Sequence, residues 1–288
     1  MKNSCYIINF YFGNRRKTID TYNSGDRLFF YRKQIEVLEK YSHNLSKIIF
    51  TCNIEKEDYK YISELFKITP KYIQGAEVEL HIRENYGMSY GAWSDAFDRN
   101  EDEYEYFIFN EDDYFFIQNN WDSYLIEKFN SYTDSGFVCM AAIEPHHWNN
   151  YKKHCGHSTS ISSNQVLKDI KSKFGCIPHT SKKDYHNNQI EGQIEFSFSA
   201  VKLGYNIYDV RDDYKTPFAW TGEDDKDIWR LWEWNEKILC MPAILIEKTN
   251  YNWFENWDGE FIQNYIPTSN KEALECYYDK KSYYGEKL

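Results

Sequence analysis

The sequence predicts an α/β protein, one layered domain with helices on both faces of a mostly parallel sheet. Three observations predict it. Short apolar and aromatic runs alternate with longer amphipathic segments through the first two-thirds of the chain. Such β-α-β-α order implies parallel strands covered by helices. With 288 residues the chain can bury a substantial core, and its 13 Gly and 6 Pro are too sparse to mark a flexible hinge.

The elements follow in order. Tyr6–Phe12 reads as a strand. Asp26 is the expected N-cap of a helix over Arg27–Tyr41, with Leu28, Ile35 and Leu38 on one face. Lys47–Cys52 reads as the second strand, Glu55–Phe66 as the second helix and Val78–Ile82 as the third strand. A short helix over Ser89–Phe97 leads into a Tyr106–Phe109 strand, followed by a helix near Trp121–Phe129 and a strand at Phe137–Ala142. Helices over Asn164–Lys173 and Ile190–Leu203 and a strand at Tyr205–Val210 close this part. Residues 1–210 are therefore expected to form the main domain. From Arg211 onward charged clusters alternate with aromatics, and six of the nine tryptophans fall there. This stretch, 211–288, reads as a C-terminal extension packing on the domain, an acceptor-side lid being one role for it. Its tryptophans suit core filling better than sugar stacking.

Composition narrows the function. Lys+Arg 34 against Asp+Glu 45 gives a net charge of -11, which argues against a nucleic-acid or anionic-membrane surface. Seven cysteines are scattered without a C-x-x-C pair, which favours thiols in a reducing compartment over a disulfide framework or zinc site. The N-terminus lacks a signal-peptide build, and no apolar stretch approaches the roughly 20 residues that span a bilayer. A cytoplasmic location is the expectation.

Chemistry concentrates where the run Tyr106-Phe107-Ile108-Phe109 meets Asn110-Glu111-Asp112-Asp113. Adjacent like charges are expensive to bury, so they belong at the strand's end, where ligands of open α/β sheets bind. A divalent cation carrying phosphates would neutralise them, and hard oxygen ligands suit Mg²⁺ or Mn²⁺. If the chain stays extended, Glu111 and Asp113 point to one side and Asp112 to the other.

Asn110-Glu111-Asp112-Asp113 behind an aromatic strand resembles the D-x-D-type motif of A-type-fold glycosyltransferases. Arg83-Glu84-Asn85-Tyr86-Gly87, followed by small residues through Gly91, is similar to the E-N-x-G segment of family-two-like members. The resemblance implies a Rossmann-like nucleotide-sugar-binding domain. It implies a metal-dependent, hexosyltransferase-type enzyme moving sugar from a nucleoside-diphosphate sugar to a glycan, lipid-linked or protein hydroxyl. Expected donor-binding residues are Asn9, Tyr11, Arg15, Asn53, Arg83, Asn85, Gly87, Gly91, Glu111 and Asp112, with Asp112 and Asp113 on the metal. Gly87 and Gly91 would let backbone approach the nucleotide or pack helix to strand closely.

Gly192 to Ile207 resembles the E-D-x-D-L-S helix that carries the base of inverting members. Gln193 stands at the usual base position and is no useful proton acceptor, so Glu191 or Glu195 substitutes, or no base is used here. The histidines at 146, 147, 154, 157, 179 and 186 show no metal-site spacing. His186 is favoured as a ligand by its nearness to Glu191. Gly222 to Asp225 suits a solvated loop better than a second acidic site.

Two further readings stay open. A sugar nucleotidyltransferase shares metal, substrates and sheet, although Phe12-Gly13-Asn14-Arg15-Arg16 lacks the glycine-rich loop such enzymes open with. Gln193 leaves room for a degenerate, binding-only transferase.

Overall fold

The computed structural model describes residues 2–12, 26–116, 118–139, 142–143, 153–155, 159–181, 188–210, 218–221, 228–234 and 237–242. Arg15, His146, His147, His157, His186 and the segment Gly222 to Asp225 lie outside them.

The expected three-layer Rossmann-like architecture holds. The central sheet contains β1 (Lys2–Tyr11), β2 (Lys47–Ile54), β3 (Tyr72–Ile73), β4 (Ala76–Glu84), β5 (Tyr104–Glu111), β7 (Ser135–Cys139), β10 (Ser160–Ser163) and β11 (Asn206–Asp209). Their spatial order is β11-β7-β10-β5-β1-β2-β4-β3. The block β5-β1-β2-β4 is parallel, as is β11-β7, whereas β10 runs antiparallel to both its neighbours.

Side-chain alternation in the strands assigns the helices to two faces. One face carries α1 (Phe29–Lys40) and α4 (Trp121–Asn130). Phe10 packs against Tyr31 there, Tyr6 against Trp121 and Tyr106 against Phe129. The opposite face carries α3 (Met88–Asn100) and α6 (Glu195–Val201), where Phe107 meets Phe97 and Phe109 meets Trp93 and Phe196. Trp93 and Trp121 are fully buried, one on each face. Burying a ring of that size contributes about 2–3 kcal/mol. Two further helices complete the layers, α2 (Ile62–Ile68) and α5 (Asn164–Phe174).

Several boundaries differ from expectation for local reasons. α1 begins at Phe29, because Asp26 is spent on the Leu28 amide at 3.0 Å and on Arg32 at 2.6–2.7 Å. The second helix is split into a 3₁₀ turn, Lys56–Tyr61, and α2, the former closed by a capping box between Glu55 and Asp58. The helix expected over Ile190–Leu203 is a π-helical turn, Asn188–Ile194, that runs into α6. Two short pairs were not expected. β6 (Tyr114–Phe116) follows the acidic cluster, and β8 (Ala142–Ile143) pairs with β9 (His154–Cys155). In the C-terminal stretch β12 (Phe218–Thr221), β13 (Ile228–Trp234) and β14 (Lys237–Pro242) form a meander, and β14 pairs with β6 through Cys240 and Phe116. Among the described residues no helix is long and apolar enough to cross a membrane. Cys5, Cys52, Cys139, Cys155 and Cys176 form no disulfide.

Candidate functional site

The chain leaves β1 toward β2 and β4 on one side, then returns to place β5 on the other side of β1. The carboxyl ends of β1 and β5 therefore flank the point where strand order reverses, the position at which open α/β sheets bind ligands. Asn9 and Glu111 are register partners there. A hydrogen-bond relay joins them through the start of α3. Asn9 Nδ2 donates to Ser89 Oγ at 3.2 Å, and Ser89 Oγ donates to Glu111 Oε1 at 2.6 Å. Thr51 Oγ1 donates to the Ile8 carbonyl at 3.0 Å and fixes the end of β1 against β2.

Beyond Glu111 the chain does not stay extended. Asp112 and Asp113 form a turn into β6, so the strict alternation expected for the three carboxylates ends at Glu111. Asp112 is buried; its amide donates to the Asn9 carbonyl at 3.1 Å and its Oδ2 accepts from the Tyr11 amide at 3.3 Å. Gln34 Nε2, reaching from α1, donates to the carbonyls of Asp112 at 2.9 Å and Tyr114 at 2.6 Å. The turn is thus braced from β1 and α1 together. Burial first, and then the Asp112 charge, push the Cys52 thiol well above its ordinary pKa, so this cysteine stays protonated. Asn110 faces the other way, donating to Tyr6 Oη at 2.7 Å and accepting from Thr159 Oγ1 at 2.6 Å, and serves the core.

The ends of β2 and β4 form the second wall. Arg83 Nη1 donates to Asn53 Oδ1 at 2.7 Å and to the Tyr86 carbonyl at 3.0 Å, while Nε meets Asp95 Oδ2 at 3.1 Å. Burial lowers the Arg83 pKa against the opposing pull of Asp95. Asn53 Nδ2 donates to the Met88 carbonyl at 2.9 Å, and Asn85 Nδ2 approaches Glu55 Oε1 at 3.4 Å. These side chains shape the β4–α3 turn.

The glycines serve the same turn. Gly87 has φ +72, and a Cβ there would lie 2.7 Å from Gly91 Cα and 2.8 Å from His179 Cδ2. A Cβ on Gly91 would sit 2.3 Å from the Tyr86 carbonyl oxygen. Of the two roles expected for them, close packing is the one these contacts describe.

Among the later residues, Glu191 lies on the π-helical turn and its Oε2 accepts from Thr180 Oγ1 at 2.8 Å. The adjacent His179 ring packs edge-on to Tyr86 with centroids 5.7 Å apart. Glu191 is thereby tied to the segment that packs on the start of α3. π-turns recur at functional sites. Glu195 instead forms an ion pair with Lys202 on the partly exposed side of α6. Gln193 Nε2 approaches the Cys155 carbonyl at 3.4 Å. Ser89, Gln34 and Thr180 were not singled out from the sequence. The one signal for Ser89 was its place in the first turn of a helix that faces the acidic strand.

Among the described residues no three His, Cys, Asp or Glu side chains converge as a metal site. Asp112 and Asp113 are adjacent carboxylates at this turn. Such a pair fits a cation that takes its remaining ligands from diphosphate and water, as Mg²⁺ does.

No family model and no curated protein matches the chain. Solved structures with some likeness include a cytidylyltransferase from Leptospira borgpetersenii serovar Hardjo-bovis, at 13% identity over 74% of this chain and 77% of that one, TM-score 0.44. The 4-diphosphocytidyl-2C-methyl-D-erythritol synthase from Anaerococcus prevotii has 11% identity over 74% and 88%, TM-score 0.42. S. aureus TarS in complex with UDP has 12% identity over 73% and 58%, TM-score 0.43. Likeness at this level carries no activity over to this chain.

Proposed function

We propose that this protein is a nucleotide-sugar-dependent transferase that passes a hexosyl group to an acceptor hydroxyl on a glycan, a lipid-linked carrier or a protein. The observation that carries the reading is the Asn9–Ser89–Glu111 relay at the strand-order reversal, followed directly by Asp112 and Asp113. Buried or braced carboxylates at that position suit a ligand that brings positive charge with it. Asp112 and Asp113 would hold Mg²⁺ or Mn²⁺, which when bound offsets the charge of a diphosphate leaving group. Glu191, oriented by Thr180, is the carboxylate offered to the acceptor hydroxyl as proton acceptor.

The test is product analysis. Purified protein incubated with Mn²⁺ and a panel of UDP-, GDP-, dTDP- and CMP-sugars should release the free nucleotide from one donor, faster when acceptor is added. Release of pyrophosphate from a nucleoside triphosphate and a sugar 1-phosphate would replace the reading with nucleotidyl transfer. Silence in both assays would leave a binding protein.

A further inference from the structure

Along β4 the residues Glu79, His81 and Arg83 share one face, and on α3 Asp95 and Arg99 stand one turn apart. The two rows interlock. Lys47 Nζ lies 3.0 Å from Glu77 and 3.2 Å from Glu79, Arg99 Nη1 donates to Glu79 Oε1 at 2.6 Å, and Arg99 Nη2 meets His81 Nδ1 at 2.6 Å. His81 Nε2 lies 3.8 Å from Asp95 Oδ2, and that same oxygen accepts from Arg83 Nε at 3.1 Å. The row ends at the β4–α3 turn, where Arg83 Nη1 holds Asn53 and the Tyr86 carbonyl.

A guanidinium donates hydrogen bonds and accepts none. His81 Nδ1 therefore accepts from Arg99, and the ring is neutral with its proton on Nε2. That proton faces Asp95 across a gap too long for a hydrogen bond. A second proton enters at Nδ1, where it meets the Arg99 donor, charge against charge. The groups around the ring act in the same sense. Partial burial first, and then Arg99, hold its pKa below the usual 6.5, with Arg83 adding to them and Asp95 and Glu79 opposing. Its register partner on β2, Thr51, is uncharged.

We infer that His81 is a positioning residue: on taking a proton from solvent it releases Arg99 and draws Asp95 away from Arg83, so the β4–α3 turn changes shape with pH. Asp95 is the partner that moves, because its side chain is 46% exposed whereas that of Arg83 is 12% exposed. Arg99 keeps Glu79 when it lets the ring go. Arg83 is then left largely buried without the carboxylate that faced it, a costly state, and its hold on Asn53 and Tyr86 loosens. Gly87 and Gly91, packed on each other beside the Tyr86 carbonyl, register the change. Any effect on donor binding rests on the transferase reading above, whereas the movement of the turn does not.

The test is nuclear magnetic resonance of the full chain, labelled in histidine and glycine, from about pH 8 to about pH 5. At the upper end His81 should show the Nε2–H tautomer. The Gly87 and Gly91 amide signals should then move with the His81 midpoint, below 6.5, and should hold still over that window in His81→Gln. Arg99→Met removes the opposing cation and should raise the midpoint by at least about half a pH unit, while Asp95→Asn should lower it. Acid also brings the chain toward its isoelectric point near 5.3, so a second measurement avoids it. His81→Lys is charged at about pH 7.5 and should set both glycine signals where acid sets them in the wild type. An Nδ1–H tautomer, glycine signals that ignore the His81 titration, or an unshifted midpoint in Arg99→Met would overturn the proposal. Calorimetry with UDP, GDP, CDP and dTDP plus Mn²⁺ separates it from the transferase reading. Between about pH 7.5 and about pH 5.5, affinity should fall about fivefold more in the wild type than in His81→Gln; an equal fall would overturn the link to the donor. Glycine signals that follow His81 in a chain that binds none of the four would support the switch and remove the donor role.

Discussion

Ser89 and Glu111 share a 2.6 Å hydrogen bond that ties the first turn of α3 to the end of β5. Their neighbour Asn9 joins the relay from β1, so three elements distant in sequence are held together at the strand-order reversal.

Ser89→Ala removes the donor to Glu111 and a partner of Asn9. Stability should fall by about 1–2 kcal/mol, measured as a lower urea midpoint with an unchanged slope. Donor affinity should fall with it, since the Glu111 carboxylate loses its fixed orientation. Unchanged stability would show that the relay does not hold these elements.

Gly91→Ala should be costly although alanine favours helices. Its Cβ would meet the Tyr86 carbonyl oxygen at 2.3 Å, and that atom is backbone and cannot swing aside. A loss of about 2–3 kcal/mol is expected, read from the same urea titration. A neutral result would mean that the β4–α3 turn relaxes freely.

Glu191→Gln and Glu195→Gln should separate. The first removes the carboxylate held by Thr180 and should abolish transfer while donor affinity stays within about twofold. The second breaks an ion pair with Lys202, of a partly exposed kind worth under about 1 kcal/mol, and should leave transfer unchanged. Steady-state rates and calorimetric affinities for both variants check this.

His43 predicts a pH dependence of stability. Burial lowers its pKa from 6.5 to about 4, beside Trp121. The folded chain therefore binds the proton less well than the unfolded one. Stability is fully present above the unfolded value and is lost as pH falls from there toward 4. Between about pH 7.5 and about pH 5 this single group accounts for a loss of about 2 kcal/mol. His43→Gln should flatten the urea-midpoint profile over that window, and an unchanged slope would contradict the assignment.

Much of the layered architecture was legible because the strands of its centre are apolar runs. β1, β2 and β5 announce themselves by composition, and Asn110 to Asp113 marks where the last of these ends. What stayed illegible was set by tertiary contacts. Nothing local in Ser160–Ser163 signals a strand, and its two neighbours supply the pairing that makes it one. The turn at Asp112 depends on Gln34, 78 residues earlier. Ser89 becomes a site residue only when α3 is laid against β5. The two candidate glutamates looked equivalent by spacing, and it is Thr180 beside the one and Lys202 beside the other that distinguish their surroundings.

The most direct test of the central claim, that the turn after β5 grips a cation-bound diphosphate, is calorimetric titration with UDP, GDP, CDP and dTDP in the presence of Mn²⁺. At least one should bind the wild-type protein with a dissociation constant below about 1 mM, and Asp113→Asn should weaken that binding at least about tenfold, a loss of about 1.4 kcal/mol. No binding of any of the four, or equal affinity in wild type and Asp113→Asn, would contradict it.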